Sequence, residues 1–306
     1  YGETQWAGIQ LPAVGEQGFI DALQGTAFAD EMVLEFALRL MEQEDLGADQ
    51  ATDLLSVSFS ATDFLGHGTG IDTPQMHEMM MSVDRLIGQL ISAAERRTGR
   101  DKLLVVLTAD HGVVRLPENN AARKLPGGRY SRDDESQAIE DALDATFGAG
   151  DYVLGVGGMS FYLNSQPVPG LSIDSARMEQ VAADALRAMP QVTRVYTRTQ
   201  LESNFSSGDR IDQRVRNGFN AVASGDIFVV HEPNWIRSQT GTTHGSPYSY
   251  DSHVPLIFWG ASELIAPGRY HGDVGMQDLA PTLSTILGIA RPNGTLGRAL
   301  EEIIPR

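Results

Sequence analysis

Apolar residues recur at helical spacing in three parts of the chain, and each part opens at a residue that favours a helix start. One helix is predicted to begin at Thr26 and another at Thr73, where Pro74 follows as the first helical residue. A third helix is expected from about Ser175 to Met189. The apolar stripes of the first two helices are predicted to be Phe28, Met32, Val33, Phe36 and Leu40, and then Met76, Met80, Val83, Leu86, Ile87, Leu90 and Ile91.

Two short apolar runs predict strands on either side of the second helix. Residues 53–60 read DLLSVSFS, and residues 102–108 read KLLVVLT, which is typical of a strand buried on both faces. A strand, a helix and a second strand make the crossover unit of a parallel sheet. The pattern therefore predicts an α/β fold with a central, mostly parallel sheet flanked by helices.

The rest of the chain is less regular. The first residues, up to about position 25, lack periodicity and are expected to form a loop or tail. Further strands are predicted near 152–156, 159–163, 192–197 and 226–231, and further helices near 135–147 and 278–288. We expect a single α/β body that carries an insertion or subdomain over about residues 115–225.

The composition narrows the classes of function. The 306 residues include 23 Lys and Arg against 40 Asp and Glu, which gives a formal net charge of −17. This balance excludes a general nucleic-acid binder, which needs a basic face. The lack of cysteine excludes disulfides, thiolate metal sites and a cysteine nucleophile. No apolar run approaches the ~20 residues of a membrane span, so no membrane partner is expected, and a signal peptide is expected to be absent or already removed.

Three Asp and His motifs are the candidate chemistry of the chain. Asp63 and His67 stand four residues apart just past the first predicted strand, so both side chains can reach one cation. Asp110 and His111 follow the second predicted strand in the segment TADHG, where open α/β sheets place ligands. His244 lies in THGSPYSYDSHVP, where His253 is a rival ligand. Each motif taken alone is also compatible with a solvated loop or an ordinary turn.

The other histidines are interpreted as structural or solvent-facing side chains. They are His77 on a predicted helix, His231 after a strand and His271 in a loop. The loop at 115–134 is rich in Arg and Lys and could attract anionic substrates, although a solvated surface loop is the simpler interpretation.

The three motifs together resemble the alkaline phosphatase superfamily. The order S-x-T-D-x-x-G-H, T-A-D-H-G and T-H-G-x-x-Y-x-Y-D-x-H-V-P-L-I-F-x-G is similar to that of the bacterial secreted alkaline phosphatases of the type I phosphodiesterase/nucleotide pyrophosphatase branch. The segment DLAPTLSTILG resembles the closing helix of that branch. The similarity runs from about residue 26 to residue 300.

The resemblance implies two zinc ions that flank a transferred phosphoryl group. It assigns Asp63, His67 and His244 to one zinc, and Asp110 and His111 to the second. It favours His244 over His253 because the ligand of the family is the His of an H-G pair. It gives Thr62 and Thr108 no nucleophile role.

The second zinc has only two ligands in this chain, whereas a stable site needs about four. The family supplies an Asp and a Thr or Ser nucleophile upstream of the first motif, and residues 1–60 contain no substitute for them. We therefore expect residues 1–306 to be the C-terminal half of one alkaline phosphatase-like domain, with no catalytic nucleophile of its own and with the N-terminal half as a possible partner.

The function implied by the resemblance is hydrolysis of phosphate monoesters. The expected substrates are small phosphorylated molecules, the expected product is inorganic phosphate, and the expected location is periplasmic or secreted. A phosphodiesterase/nucleotide pyrophosphatase or a sulfatase of the same superfamily is an alternative, because this half of the site is shared across substrate classes. A metal-binding fragment without turnover is a further alternative, and a plain acidic α/β binding domain is another.

Overall fold

The protein is described here by a computed structural model that covers residues 5–167, 170, 172–203 and 208–305. The helices in these residues are α1 (Phe19–Gln24), α2 (Ala27–Gln43), α3 (Ala61–Thr69), α4 (Pro74–Thr98), α5 (Pro117–Ala122), α6 (Arg132–Phe147), α7 (Ser175–Arg187), α8 (Arg198–Glu202), α9 (Arg210–Gly218), α10 (Ser249–Ser252) and α11 (Leu279–Leu287). The strands are β1 (Gln5–Trp6), β2 (Ile9–Gln10), β3 (Leu104–Thr108), β4 (Gly128–Arg129), β5 (Val153–Gly157), β6 (Ser160–Leu163), β7 (Val192–Thr197), β8 (Ile227–His231), β9 (Trp235–Ile236) and β10 (Leu256–Gly260). None of these helices combines the length and the apolar character needed to cross a membrane.

The chain divides into two compact units, Tyr1–Asp110 with Val254–Arg306, and His111–His253. In the first unit β3 pairs with β10 in antiparallel register, with Leu107 opposite Ile257. Helices α2, α3 and α4 pack around a small buried cluster formed by Ala27, Ala61, Leu65, Met76 and Met79. This cluster fixes α3, the helix that carries the first candidate motif.

The second unit is built on a four-stranded antiparallel sheet in the order β5-β6-β8-β7. Helices α6 and α7 supply much of its core through Ile139, Leu143, Met178, Ala182 and Leu186. Four of the five residues of β8 are buried, as expected for an interior strand with a run of apolar side chains. The insertion predicted at 115–225 lies inside this unit, and its status as an insertion stays a prediction.

The α/β class predicted from the sequence is present, but the sheet pattern differs. The described residues contain no central parallel sheet: β4 and β9 alone pair in parallel, and the other ladders are antiparallel. No strand forms at residues 53–60, because a strand needs a hydrogen-bonded neighbour and no described segment pairs with them. The start of the chain, predicted to be a loop or tail, instead forms the short hairpin β1–β2 and helix α1.

Helix α2 begins after Thr26 as predicted, but the face that it buries is not the predicted apolar stripe. The predicted stripe residues Met32 and Phe36 are 52% and 69% exposed. The residues that α2 buries are Ala27, Asp30, Leu34, Ala37 and Met41. The inner face combines the small side chains of Ala27 and Ala37 with Leu34 and Met41, and it leaves Met32 and Phe36 on the outside.

Candidate metal centre

Helix α3 presents Asp63 and His67 on the same face. They are four residues apart, which is about one helical turn, and the Nε2 atom of His67 lies 3.4 Å from the Oδ2 atom of Asp63. Both side chains are a little under 40% exposed. The predicted pairing of these two side chains is therefore present, and both remain accessible to a cation from solvent.

The start of α3 is fixed by a carboxylate from another helix. Ser60 at the N-cap makes no side-chain capping bond. Instead the backbone N–H of Ala61 donates to Oδ1 of Asp30 at 3.2 Å, and Asp30 is buried on α2. Burial raises the pKa of Asp30, while the hydrogen bonds from Ala61 and Ser60 act to lower it. Asp30 thus holds the helix that carries Asp63 and His67.

The second unit brings His111 and His244 together. Their rings are stacked, with centroids 3.4 Å apart and planes 12° from parallel. The Nδ1 atom of His111 lies 2.9 Å from the carbonyl oxygen of Gly112, and a carbonyl only accepts, so Nδ1 carries the proton. This tautomer directs the lone pair of a neutral His111 to Nε2, as in histidines that bind metals.

Two hydrogen bonds hold the two histidine loops side by side. The N–H of Val114 donates to the carbonyl oxygen of Thr243 at 3.3 Å, and the hydroxyl of Thr242 donates to the carbonyl oxygen of Val114 at 2.6 Å. Thr242 and Val114 are both buried. The stacked arrangement of His111 and His244 therefore rests on a buried and hydrogen-bonded support.

Asp63, His67 and His244 are the candidate metal-binding group of the described residues. Each is partly buried and offers one ligand atom, which gives one carboxylate oxygen and two imidazole nitrogens. A set of this kind is found in zinc sites that keep a position open for water or substrate, although the donor types alone do not select zinc among transition metals.

The remaining predicted ligands are placed differently. Asp110 is exposed two residues after β3, and His111 is half-buried. Within the described residues neither belongs to a group of three or more metal-type ligands, so their assignment to a second metal stays a prediction. His253, the rival of His244, is exposed at the C-terminal end of α10 and is also outside the candidate group.

The other histidines and threonines have local roles. His77 and His271 are exposed, whereas the Nε2 atom of His231 lies 2.7 Å from Oε1 of Glu135, and its ring stacks on Tyr130. The hydroxyl of Thr108 donates to the carbonyl oxygen of Pro255 at 2.9 Å. These contacts agree with the interpretation of His231 as a structural residue.

The sequence does not point to two buried carboxylates, one that contacts the start of α3 and one that contacts the histidine loops. They are Asp30 and Asp251, which are 1% and 4% exposed. Asp30 could have been found, because it lies on the buried helical stripe between Ala27 and Leu34. Asp251 gives a weaker signal, since the polar segment SYDSH around it looks like an ordinary loop.

Comparison of the sequence and the fold with known proteins identifies the family of this chain. Residues 14–253 match the family model described as "Type I phosphodiesterase / nucleotide pyrophosphatase". The chain belongs to this family, and its relatives place it in the alkaline phosphatase superfamily.

Individual relatives are similar along nearly the whole chain. Alkaline phosphatase PafA of Elizabethkingia meningoseptica is 28% identical over 93% of this chain, and a "Calcium-transporting ATPase" of Myroides odoratus is 31% identical over 94%. The crystal structure of wild-type PafA superposes with a TM-score of 0.85 over 94% of this chain and 54% of that one. The chain spans about half the length of the curated relatives it matches, 52% and 53% for the two named here.

Proposed function

We propose that this chain contributes metal ligands to a zinc-dependent phosphatase that hydrolyses phosphate monoesters. Asp63, His67 and His244 bind one zinc ion in this proposal, and Asp110 and His111 are two of the ligands of a second. The observation that carries the proposal is the candidate group of Asp63, His67 and His244 in a chain of the phosphodiesterase family.

The residues of the chain have distinct tasks in this proposal. A bound zinc ion supplies Lewis-acid polarisation of a phosphoryl oxygen. The hydrogen bond from Nδ1 of His111 to Gly112 keeps its Nε2 atom as the metal-facing nitrogen. The Asp30 carboxylate fixes α3, so that Asp63 and His67 present their ligand atoms from a rigid turn. The nucleophile is a Thr or Ser supplied from upstream of this chain, and none of the five ligands takes that role.

The similarity to proteins called alkaline phosphatase favours phosphate monoesters as substrates. The substrates are then small phosphorylated molecules and the product is inorganic phosphate, in a periplasmic or secreted setting. The name of the matching family model supports phosphodiesters as the second candidate class. The third candidate function is metal binding without turnover. It is supported by the proposed second metal site, for which this chain supplies only two ligands.

Zinc binding tests the ligand assignment directly. We expect the metal-free chain to take up Zn²⁺ in competition with a chromophoric chelator, and Asp63→Ala, His67→Ala and His244→Ala each to weaken binding about tenfold or more. His77→Ala, an exposed histidine on α4, is the matched control and should change nothing. Equal affinity in all four variants would contradict the assignment. Two tightly bound ions per chain would mean that further ligands exist among the 306 residues.

Turnover distinguishes an incomplete site from a complete one. We expect little hydrolysis of p-nitrophenyl phosphate by these 306 residues alone, and much more by a polypeptide that also carries the upstream half. Full activity of the 306 residues by themselves would overturn the assignment of the nucleophile. A preference for bis(p-nitrophenyl) phosphate in the longer polypeptide would favour the diesterase.

A further inference from the structure

Asp251 is a buried carboxylate with one oxygen unsatisfied. It lies in α10 and is 4% exposed. Its Oδ2 atom accepts two hydrogen bonds from Ser246, from the backbone N–H at 2.8 Å and from the hydroxyl at 2.6 Å. Its Oδ1 atom is buried and has no hydrogen-bond partner. Such an oxygen is costly to bury, so a compensating interaction is expected.

Asp251 also joins the two histidine loops. Ser246 is two residues beyond His244, so the carboxylate fixes the His244 loop. The backbone carbonyl of Asp251 accepts the N–H of Gly112 at 2.7 Å, and Gly112 is adjacent to His111. A Cβ atom at Gly112 would lie 2.2 Å from the carbonyl oxygen of Tyr250, so only glycine permits this close approach.

The surroundings of Asp251 suit a cationic partner. Burial raises the pKa of Asp251, while the hydrogen bonds from Ser246 and any positive charge at His244 and His111 act to lower it. The stacked rings of these histidines, 3.4 Å apart, are both partly buried. A cation held by the imidazoles would therefore offset part of the cost of the buried carboxylate charge.

We infer that Asp251 is a positioning residue that orients His244 and His111 as a pair of metal-facing imidazoles. Its carboxylate holds the His244 loop through Ser246, and its backbone carbonyl holds the His111 loop through the N–H of Gly112. The inference rests on the proposed function for its metal-binding consequence. The orientation of the two rings is a property of the chain itself and holds without metal. Partners that orient the ligands of a metal site commonly alter its affinity 10- to 100-fold, an order-of-magnitude range.

The test compares Asp251→Ala and Asp251→Asn with Glu179→Ala. Glu179 is a matched control, because it is a buried carboxylate of the same unit that accepts a backbone hydrogen bond, from Thr199 at 2.9 Å. Asp251→Asn removes the charge but keeps an acceptor for Ser246, so it also covers the case in which Asp251→Ala does not fold. Thermal unfolding of each variant measures the purely structural effect.

The first measurement uses the metal-free chain. Imidazole ¹H–¹⁵N correlations, assigned with His111→Gln and His244→Gln, report the environment of each ring. We expect Asp251→Ala to shift or broaden the signals of His244, whose loop the carboxylate holds through Ser246. The signals of His111 should follow to a smaller extent through the stacked rings, because the backbone carbonyl that accepts from Gly112 is retained. Glu179→Ala should leave both sets of signals in place. Unchanged signals in Asp251→Ala would overturn the inference whether or not the chain binds zinc.

The second measurement is the affinity for Zn²⁺ alone. We expect a loss of about 10- to 100-fold in Asp251→Ala, a smaller loss in Asp251→Asn, and a change of less than about twofold in Glu179→Ala. A loss in Asp251→Ala no greater than in Glu179→Ala would overturn the inference. If the parent chain binds no zinc, the proposed function fails, while the metal-free spectra still decide the role of Asp251.

Discussion

Polar side chains of this protein differ sharply in how far they are buried, and the roles proposed for them follow that difference. The candidate ligands Asp63, His67 and His244 are half-buried, which leaves them open to a cation. Asp30 and Asp251 are almost fully buried and hold backbone groups. The candidate group could be predicted from spacing and motif, and its binding of a metal stays a prediction. The burial of Asp30 and Asp251 could not be predicted, because it depends on packing against residues elsewhere in the fold.

The buried pair of Glu135 and His231 tests how much a single buried polar contact contributes to stability. Glu135 is 1% exposed and its Oε1 atom lies 2.7 Å from Nε2 of His231. We expect Glu135→Ala to lower the free energy of unfolding by about 3 kcal/mol, because it leaves the polar imidazole buried without its partner. The measurement is chemical denaturation at neutral pH.

Asp184→Ala is the control for this prediction. Asp184 pairs with Arg187 at 2.7 Å on the surface of α7, where its side chain is 62% exposed. Its removal should cost less than about 1 kcal/mol. Equal losses in the two variants would mean that the Glu135 pair contributes no more than a surface pair.

Helices were easier to predict than sheets. Helices α2, α4 and α7 begin at or next to the predicted residues, since helix periodicity and capping are local properties. Strand β3 was also predicted, but its antiparallel neighbour β10 lies about 150 positions away, and no local pattern specifies that pairing. The apolar run at 53–60 has strand-like composition and no described partner.

The hydrogen bond from Ala61 to Asp30 predicts that the first turn of α3 depends on this carboxylate for its stability. We expect Asp30→Ala to weaken α3 by about 1 kcal/mol, so that its first amides exchange hydrogen about fivefold faster. The cause is the loss of the acceptor for Ala61. Mass-spectrometric hydrogen exchange over residues 61–69 measures it.

Thr73→Ala provides the matched comparison. The Thr73 hydroxyl oxygen accepts the N–H of Met76 at 3.2 Å and caps α4. The loss of this cap should speed exchange in the first turn of α4 and leave the first turn of α3 unaffected, because the Thr73 hydroxyl contacts α3 only at its last residue, Thr69. Unchanged protection of α3 in Asp30→Ala would show that the helix does not depend on that carboxylate.

Exposed apolar side chains are distributed unevenly over the molecule. Among the large exposed apolar residues of the described chain, only Leu125, Leu154 and Val222 lie in the second unit, and all the others lie in the first. Where such side chains are neighbours, as Leu107 and Ile257 are across β3 and β10, they are typical of a surface that associates with other polypeptide. The relatives are about twice as long as this chain. We therefore expect the exposed apolar residues of the first unit to favour association with other polypeptide.

Self-association of the 306-residue chain tests that interpretation. Leu107 and Ile257 are paired across β3 and β10 and are 38% and 50% exposed. We expect the chain to self-associate at micromolar concentration, and the double variant Leu107→Lys with Ile257→Lys to reduce association as measured by sedimentation velocity. Val222→Lys, at a 96% exposed site of the second unit, should have no effect. A chain that remains monomeric at all concentrations would contradict the prediction.

The second unit has one further property of practical use. It is a single uninterrupted stretch, His111–His253, and the N–H of Gly112 near its start donates to the carbonyl oxygen of Asp251 near its end at 2.7 Å. Ends that meet in this way can be fused by a short linker and reopened elsewhere, which is the basis of circular permutation. The unit is therefore suited to protein engineering. It can be exchanged between relatives as one gene segment, and the exchange does not divide its four-stranded sheet.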